Sequence, residues 1–161
     1  MNNKIFLLLG TNLGDRKVNL DLAISEIEKL VGEVREKSSV YLTAAWGKLD
    51  QPEFYNQVVA VETKLDAFQI LKSILEIETK LGRERKVMWG ERLIDIDILM
   101  IGDLMIQTKT LTVPHPQLAN RRFTLVPLAE IASKSVHPIL QKSVEALLIE
   151  CKDSLAVNLV N

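Results

Sequence analysis

This chain of 161 residues has little cysteine, little aromatic surface and no excess of charge of either sign. Cys151 is its one cysteine, so no internal disulfide can form. That excludes a disulfide-stapled scaffold and fits a reducing compartment. Cys151 also falls in an apolar helical pattern and reads as core filler rather than a nucleophile. Aromatics make up 5% of residues, so each one outside a periodic stripe is informative. No run approaches the roughly 18 apolar residues that a membrane-crossing helix needs. The apolar run near the start ends in Gly10-Thr11-Asn12 and is too short for the inserting region of a signal peptide. The formal net charge of −1 excludes attraction to nucleic acid or an anionic membrane through bulk charge. Repeats, low-complexity stretches and Gly/Ser/Pro linkers are absent as well. With 47% hydrophobic and 25% charged residues, the expectation is one domain over 1–161 with a sizeable core. A cytoplasmic monomer is the accompanying expectation.

What is present begins with two aspartates in an apolar run, Leu93-Ile94-Asp95-Ile96-Asp97-Ile98-Leu99-Met100. In a strand, Asp95 and Asp97 share one face, and Ile94, Ile96 and Ile98 take the other. Their Cα atoms then lie roughly 6.5 Å apart. Such a pair suits two Mg²⁺ ions serving displacement at phosphorus. A half-exposed antiparallel strand has the same pattern, and these residues alone leave both readings open.

Along the chain, 5–9 reads as a buried strand and 10–15 as a turn-rich loop. Leu20, Ile24, Ile27 and Val31 recur at helical spacing, with Gly32 as a stop. Strands follow over 33–41 and 55–63, separated by a loop over 43–52. Residues 67–81 carry a wide apolar stripe and form a helix that Gly82 can end. The charged stretch 82–92 has no period and runs into the aspartate strand. Residues 104–106 and 111–113 suggest a hairpin. Prolines then punctuate a less regular part before a helix over 143–151. The order strand, helix, strand, strand, helix, strand is that of the ferredoxin-like βαββαβ fold. It is an α+β antiparallel sheet with helices on one face, here with C-terminal additions.

The 82–92 loop holds four basic and two acidic residues. Arginines clamp phosphate oxygens bidentately, so a basic loop feeding paired acids suits a metal–polyphosphate complex. A solvated charged loop is the alternative, and Trp89 between Met88 and Gly90 weighs against it. Lys109, Arg121 and Arg122 add further cations. His115, between Pro114 and Pro116, is a candidate phosphate donor or a surface histidine. Phe54 and Phe123 are ordinary core residues, or they sandwich a flat heteroaromatic whose edge Asn56 reads.

Five segments, in order, resemble the 6-hydroxymethyl-7,8-dihydropterin pyrophosphokinase family of folate biosynthesis. They are Gly10-Thr11-Asn12-Leu13-Gly14; Asp50-Gln51-Pro52-Glu53-Phe54-Tyr55-Asn56; Gly82-Arg83-x-Arg85-x-x-x-Trp89-Gly90-x-Arg92-x-x-Asp95-x-Asp97; Leu111-Thr112-Val113-Pro114-His115-Pro116; and Asn120-Arg121-x-Phe123. The resemblance implies transfer of the β,γ-pyrophosphoryl unit of ATP to the pterin hydroxymethyl group, leaving AMP. It implies that Asp95 and Asp97 ligate two Mg²⁺ ions, with Arg83 and Arg92 as catalytic phosphate contacts. His115 and Arg121 would also contact phosphates. Arg85 and Trp89 would ride on a loop closing over the site. Glu78, Ile98 and Thr112 would help hold the nucleotide. Phe54 and Phe123 would stack on the pterin, and Thr43, Ala44, Trp46 and Asn56 would read its edge. The chain departs from many relatives at Leu75, Met88 and Thr110. A palm-type nucleotidyltransferase and a non-enzymatic nucleotide-binding domain are the competing readings, and neither needs a pterin slot.

Overall fold

A computed structural model describes residues 2–44, 52–82 and 93–160. The elements are β1 (Asn3–Thr11), α1 (Arg16–Leu30), β2 (Glu33–Lys37), β3 (Tyr41–Thr43), β4 (Phe54–Thr63) and α2 (Ala67–Lys80). They continue with β5 (Asp95–Ile101), β6 (Ile106–Gln107), β7 (Thr112–Val113), a 3-10 turn (Leu118–Asn120), α3 (Arg122–Ala132), α4 (Val144–Glu150) and β8 (Val157–Leu159). The main sheet is antiparallel in the order β5-β1-β4-β3-β8, and β2 also pairs with β4. β6 and β7 form a separate two-stranded hairpin. Among the described residues, no helix is long and apolar enough to cross a membrane.

β1 is central, and this explains its unbroken apolar run. Ile5, Leu7 and Leu9 pack with Ile24 and Ile27 of α1 and Ile70, Ile74 and Ile77 of α2. Phe6 and Leu8 face the other way and pack with Leu125 and Leu128 of α3 and Leu147 of α4. A strand covered on both faces has no reason to alternate apolar and polar residues. The two early helices share one face, as the strand–helix order predicts. The C-terminal additions cover part of the opposite face.

α1 starts where the Asp15 side chain accepts the Val18 N–H. α2 starts at a capping box: Asp66 accepts from Gln69, and the Gln69 side chain accepts from the Asp66 backbone. α3 was not legible in the sequence, because Pro127 lies inside it and supplies no N–H to its ladder. The helix forms nonetheless, since Leu125 and Leu128 bury completely against the sheet. Its outer side is tied to β3 and the residues before it. Tyr41 Oη donates to Glu130, and the Ser39 backbone N–H donates to the same carboxylate at 2.8 Å. Burial and the Glu130 carboxylate push the Tyr41 phenol up to about 12. The strand expected over 33–41 is broken, with β2 and β3 flanking residues 38–40.

Candidate active site

The register of the three central strands builds the site. Gly10 of β1 lies between Asn56 of β4 and Asp95 of β5. One step along, Leu8 lies between Val58 and Asp97. Thr43 of β3 pairs with Phe54, and Tyr41 pairs with Asn56. Side chains opposite one another in an antiparallel pair share a face. Asp95, Asp97, Asn56 and Phe54 therefore lie together on the face that α3 covers only in part. The aspartates share that face while Ile96 and Ile98 join the core on the other.

Beyond Ile98 the alternation slips. Leu7 pairs with Ile98 and Phe6 with Met100, which leaves Leu99 as the extra residue of a bulge. Leu99 and Met100 consequently pack on the same side. The Leu99 carbonyl accepts the His115 backbone N–H at 2.9 Å. The bulge thus brings His115 beside the aspartate strand.

Two cavities meet at this strand. The first, about 230 Å³, is lined by Thr43, Ala44, Phe54, Asn56, Arg121 and Phe123, with Asp95 and Asp97 at its wall. The second, about 280 Å³, is lined by Leu71, Ile74, Ile98, Lys109, Thr112 and His115, again with Asp97 at its wall. Asp97 belongs to both. One cavity is an aromatic slot with an amide at its edge. The other is a trough of mixed lining, with Leu71, Ile74 and Ile98 beside Lys109, Thr112 and His115.

Asn56 is buried, and its Nδ2 donates to Thr43 Oγ1 at 2.6 Å. Its Oδ1 sits so close over β1 that a Cβ on residue 10 would lie 2.9 Å from it. Arg121 lies with its guanidinium carbon 5.6 Å from the Phe123 ring centroid. Burial draws the Arg121 pKa down, and the Asp97 charge opposes that. Burial also lowers the His115 pKa; Asp97 raises it and Arg121 lowers it further. Burial thus favours the neutral ring. Its Nδ1 accepts the Gln117 N–H at 3.1 Å, which puts the ring proton on Nε2. A neutral Nε2–H is a donor suited to a phosphate oxygen.

Glu78 is buried, and its carboxylate accepts the Ile96 backbone N–H at 2.9 Å. It holds the end of α2 to the aspartate strand. Thr11 Oγ1 donates to the Leu93 carbonyl, and Asn19 Nδ2 donates to Thr11 Oγ1 and to the Leu13 carbonyl. The last residue of β1 thus anchors the entry to β5. Trp46, Arg83, Arg85, Trp89 and Arg92, and with them the expected closing loop, lie outside the described residues. Sequence reasoning passed over Leu8 and Gly10 in the first cavity and Leu71, Ile74 and Leu111 in the second. Leu8 and Gly10 become visible once β1 is placed between β4 and β5, because they share the aspartates' face.

The donor set of Asp95 and Asp97 is hard oxygen, which suits Mg²⁺. No group of three or more potential protein ligands occurs among the described residues. Mg²⁺ usually keeps several waters and takes only one or two carboxylates plus substrate phosphates, so two aspartates fit it.

Residues 6–133 match the family model for 7,8-dihydro-6-hydroxymethylpterin-pyrophosphokinase (HPPK), which leaves α4 and β8 beyond the match. The chain is 41% identical over 135 residues to the 2-amino-4-hydroxy-6-hydroxymethyldihydropteridine pyrophosphokinase of Bacillus subtilis (strain 168), covering 83% of this chain and 81% of that one. It is 41% identical over 138 residues to the enzyme of the same name from Aquifex aeolicus (strain VF5), covering 86% of each. Among solved structures it resembles wild-type Plasmodium falciparum HPPK-DHPS, with a TM-score of 0.77, 19% identity and 93% of this chain covered. It spans 45% of that longer chain, and the likeness speaks to the fold.

Proposed function

The chain belongs to the 7,8-dihydro-6-hydroxymethylpterin-pyrophosphokinase family, and from that premise we propose how its site works. It transfers pyrophosphate from ATP to 6-hydroxymethyl-7,8-dihydropterin, a step of folate biosynthesis, and AMP leaves. The observation that carries this reading is the position of Asp97 on the wall between two unlike cavities. A two-substrate transfer needs such a meeting point. We also read the sheet order, with β2 and β3 together beyond β4, as the ferredoxin-like βαββαβ arrangement.

The aromatic slot takes the pterin. Phe54 and Phe123 offer their faces to a flat ring, and Asn56, oriented by Thr43, offers its amide to the ring edge. Ala44 lies beside them, and Trp46 belongs to this group by family pattern. The trough takes the nucleotide, with Ile98 and Thr112 on its wall. His115 Nε2–H and the Arg121 guanidinium donate to phosphate oxygens. By family pattern Arg83, Arg92, Arg85 and Trp89 complete the hold on ATP, and Glu78 supports it through β5. Asp95 and Asp97 would hold two Mg²⁺ ions, which neutralise phosphate charge and lower the pKa of the attacking hydroxyl. The hydroxyl oxygen attacks the β-phosphorus and gives up its proton, for which the Asp97 carboxylate is the nearest obvious acceptor on the aspartate strand. The bond from the β-phosphorus to the α,β-bridging oxygen breaks, and AMP departs. Positioning and charge neutralisation account for most of the rate in such transfers.

The test mixes the protein with ATP, Mg²⁺ and the pterin and follows AMP. AMP should appear only when the pterin is present. Asp97→Ala should lower turnover by on the order of 10²-fold or more with an unchanged circular dichroism spectrum. Release of inorganic pyrophosphate instead of AMP would point to nucleotidyl transfer, and near-normal turnover in Asp97→Ala would remove the role given to the aspartates.

A further inference from the structure

The tail after α4 touches both walls of the aromatic slot. α3 begins at Arg122, and Arg121, at its N-cap position, makes no side-chain capping bond. The first N–H groups of a helix need acceptors from elsewhere. Asp153 supplies one from the tail: its Oδ2 accepts the Arg122 N–H at 2.9 Å. Its Oδ1 accepts the Leu155 N–H at 3.0 Å, so the tail's own backbone fixes the carboxylate. A carboxylate at this end also complements the helix dipole. Just beyond, β8 pairs with β3, with Val157 opposite Thr43 and Leu159 opposite Tyr41. The Val160 N–H then donates to the Val40 carbonyl at 2.9 Å.

Arg121 and Phe123 flank the residue that Asp153 caps, and both line the slot. Thr43, which orients Asn56, lies on the three-residue strand that β8 borders. We propose that Asp153 is a positioning residue for the pterin: it fixes the start of α3, and with it Arg121 and Phe123, against the strand that carries Thr43. The tail from Asp153 to Leu159 thereby supports the substrate slot from outside, since none of its residues lines that cavity. The trough that takes the nucleotide is built from α2, β5 and the β6–β7 hairpin, none of which the Asp153 bonds reach.

This proposal rests on the pyrophosphokinase reading, and its test separates the two. Calorimetric titration measures binding of a non-hydrolysable ATP analogue with Mg²⁺, and then of 6-hydroxymethyl-7,8-dihydropterin to that complex. The proteins are the wild type, Asp153→Asn and Asp153→Ala, each held well below its melting temperature. Pterin affinity should fall roughly three- to tenfold in Asp153→Ala, the scale of a lost cap. It should fall less in Asp153→Asn, which keeps one acceptor oxygen, and the analogue, whose phosphates meet Arg121 but not Phe123 or Asn56, should lose less than the pterin in each variant. Should Asp153→Ala fail to fold, Asp153→Asn is judged by the same split. Unchanged pterin affinity would overturn the proposal, as would an equal loss for both ligands, the mark of a merely structural residue. A wild type that binds no pterin would instead overturn the reading beneath it.

Discussion

Gly10 and Asn56 share a constraint that neither residue displays alone. Asn56 reaches Thr43 only by lying over β1, where a Cβ at position 10 would come within 2.9 Å of its Oδ1. The amide is buried and bonded, so it has little room to yield. Gly10→Ala should turn the Asn56 amide away from Thr43 and weaken pterin affinity by roughly ten- to a hundredfold, the scale of a one-methyl overpacking. Binding of the ATP analogue should change little, because Gly10 borders the first cavity and not the second; titration with each ligand checks both. His115 shows the same dependence on surroundings. Its two flanking prolines suggested a rigidly placed donor, but its tautomer is set by the Gln117 N–H, and burial pulls its pKa down.

Elements place these residues through breaks in regularity rather than through ideal geometry. The bulge at Leu99 changes which way the end of β5 faces, and its carbonyl holds His115. The turn from α1 into β2 is another tight point. A Cβ on Gly32 would sit 2.1 Å from the Glu62 carbonyl oxygen, a backbone atom of β4 that cannot move aside. Gly32→Ala should destabilise the protein by about 2–3 kcal/mol, measurable as a lower denaturation midpoint with an unchanged slope. α1, β4, α2 and β5 were legible because pattern and end signals agree in each, and β1 because its short unbroken apolar run ends at a turn-rich loop. α3 was not, because Pro127 argues against a helix locally while the burial of Leu125 and Leu128 argues for one globally. β3 and β8 have three residues each, too few to show a period.

At the scale of the whole molecule, α1 and α2 cover one face of the sheet and α3 and α4 the other, and the aspartates lie on the face that α3 and α4 cover only in part among the described residues. The carboxylates and a triphosphate repel one another unless cations stand between them. An ATP analogue at roughly a hundred times its Kd should therefore raise the melting temperature by roughly 5–10 °C with Mg²⁺ present. Chelation with EDTA should remove that rise, and differential scanning fluorimetry reads both. A rise that persists after chelation would argue against cation-dependent nucleotide binding.

The sequence by itself determined the aspartate pair and its shared face, because a strand's period of two leaves no other arrangement once Ile96 and Ile98 face the core. It also determined the family, through five motifs in order. Only the tertiary structure decided that Asp97 stands between two cavities, that Gly10 makes room for Asn56, and that Asp153 caps a helix begun 31 residues earlier. These are contacts between segments distant in the chain. Strand register, a bulge and the packing of α3 create them, and local periodicity carries no record of such pairings.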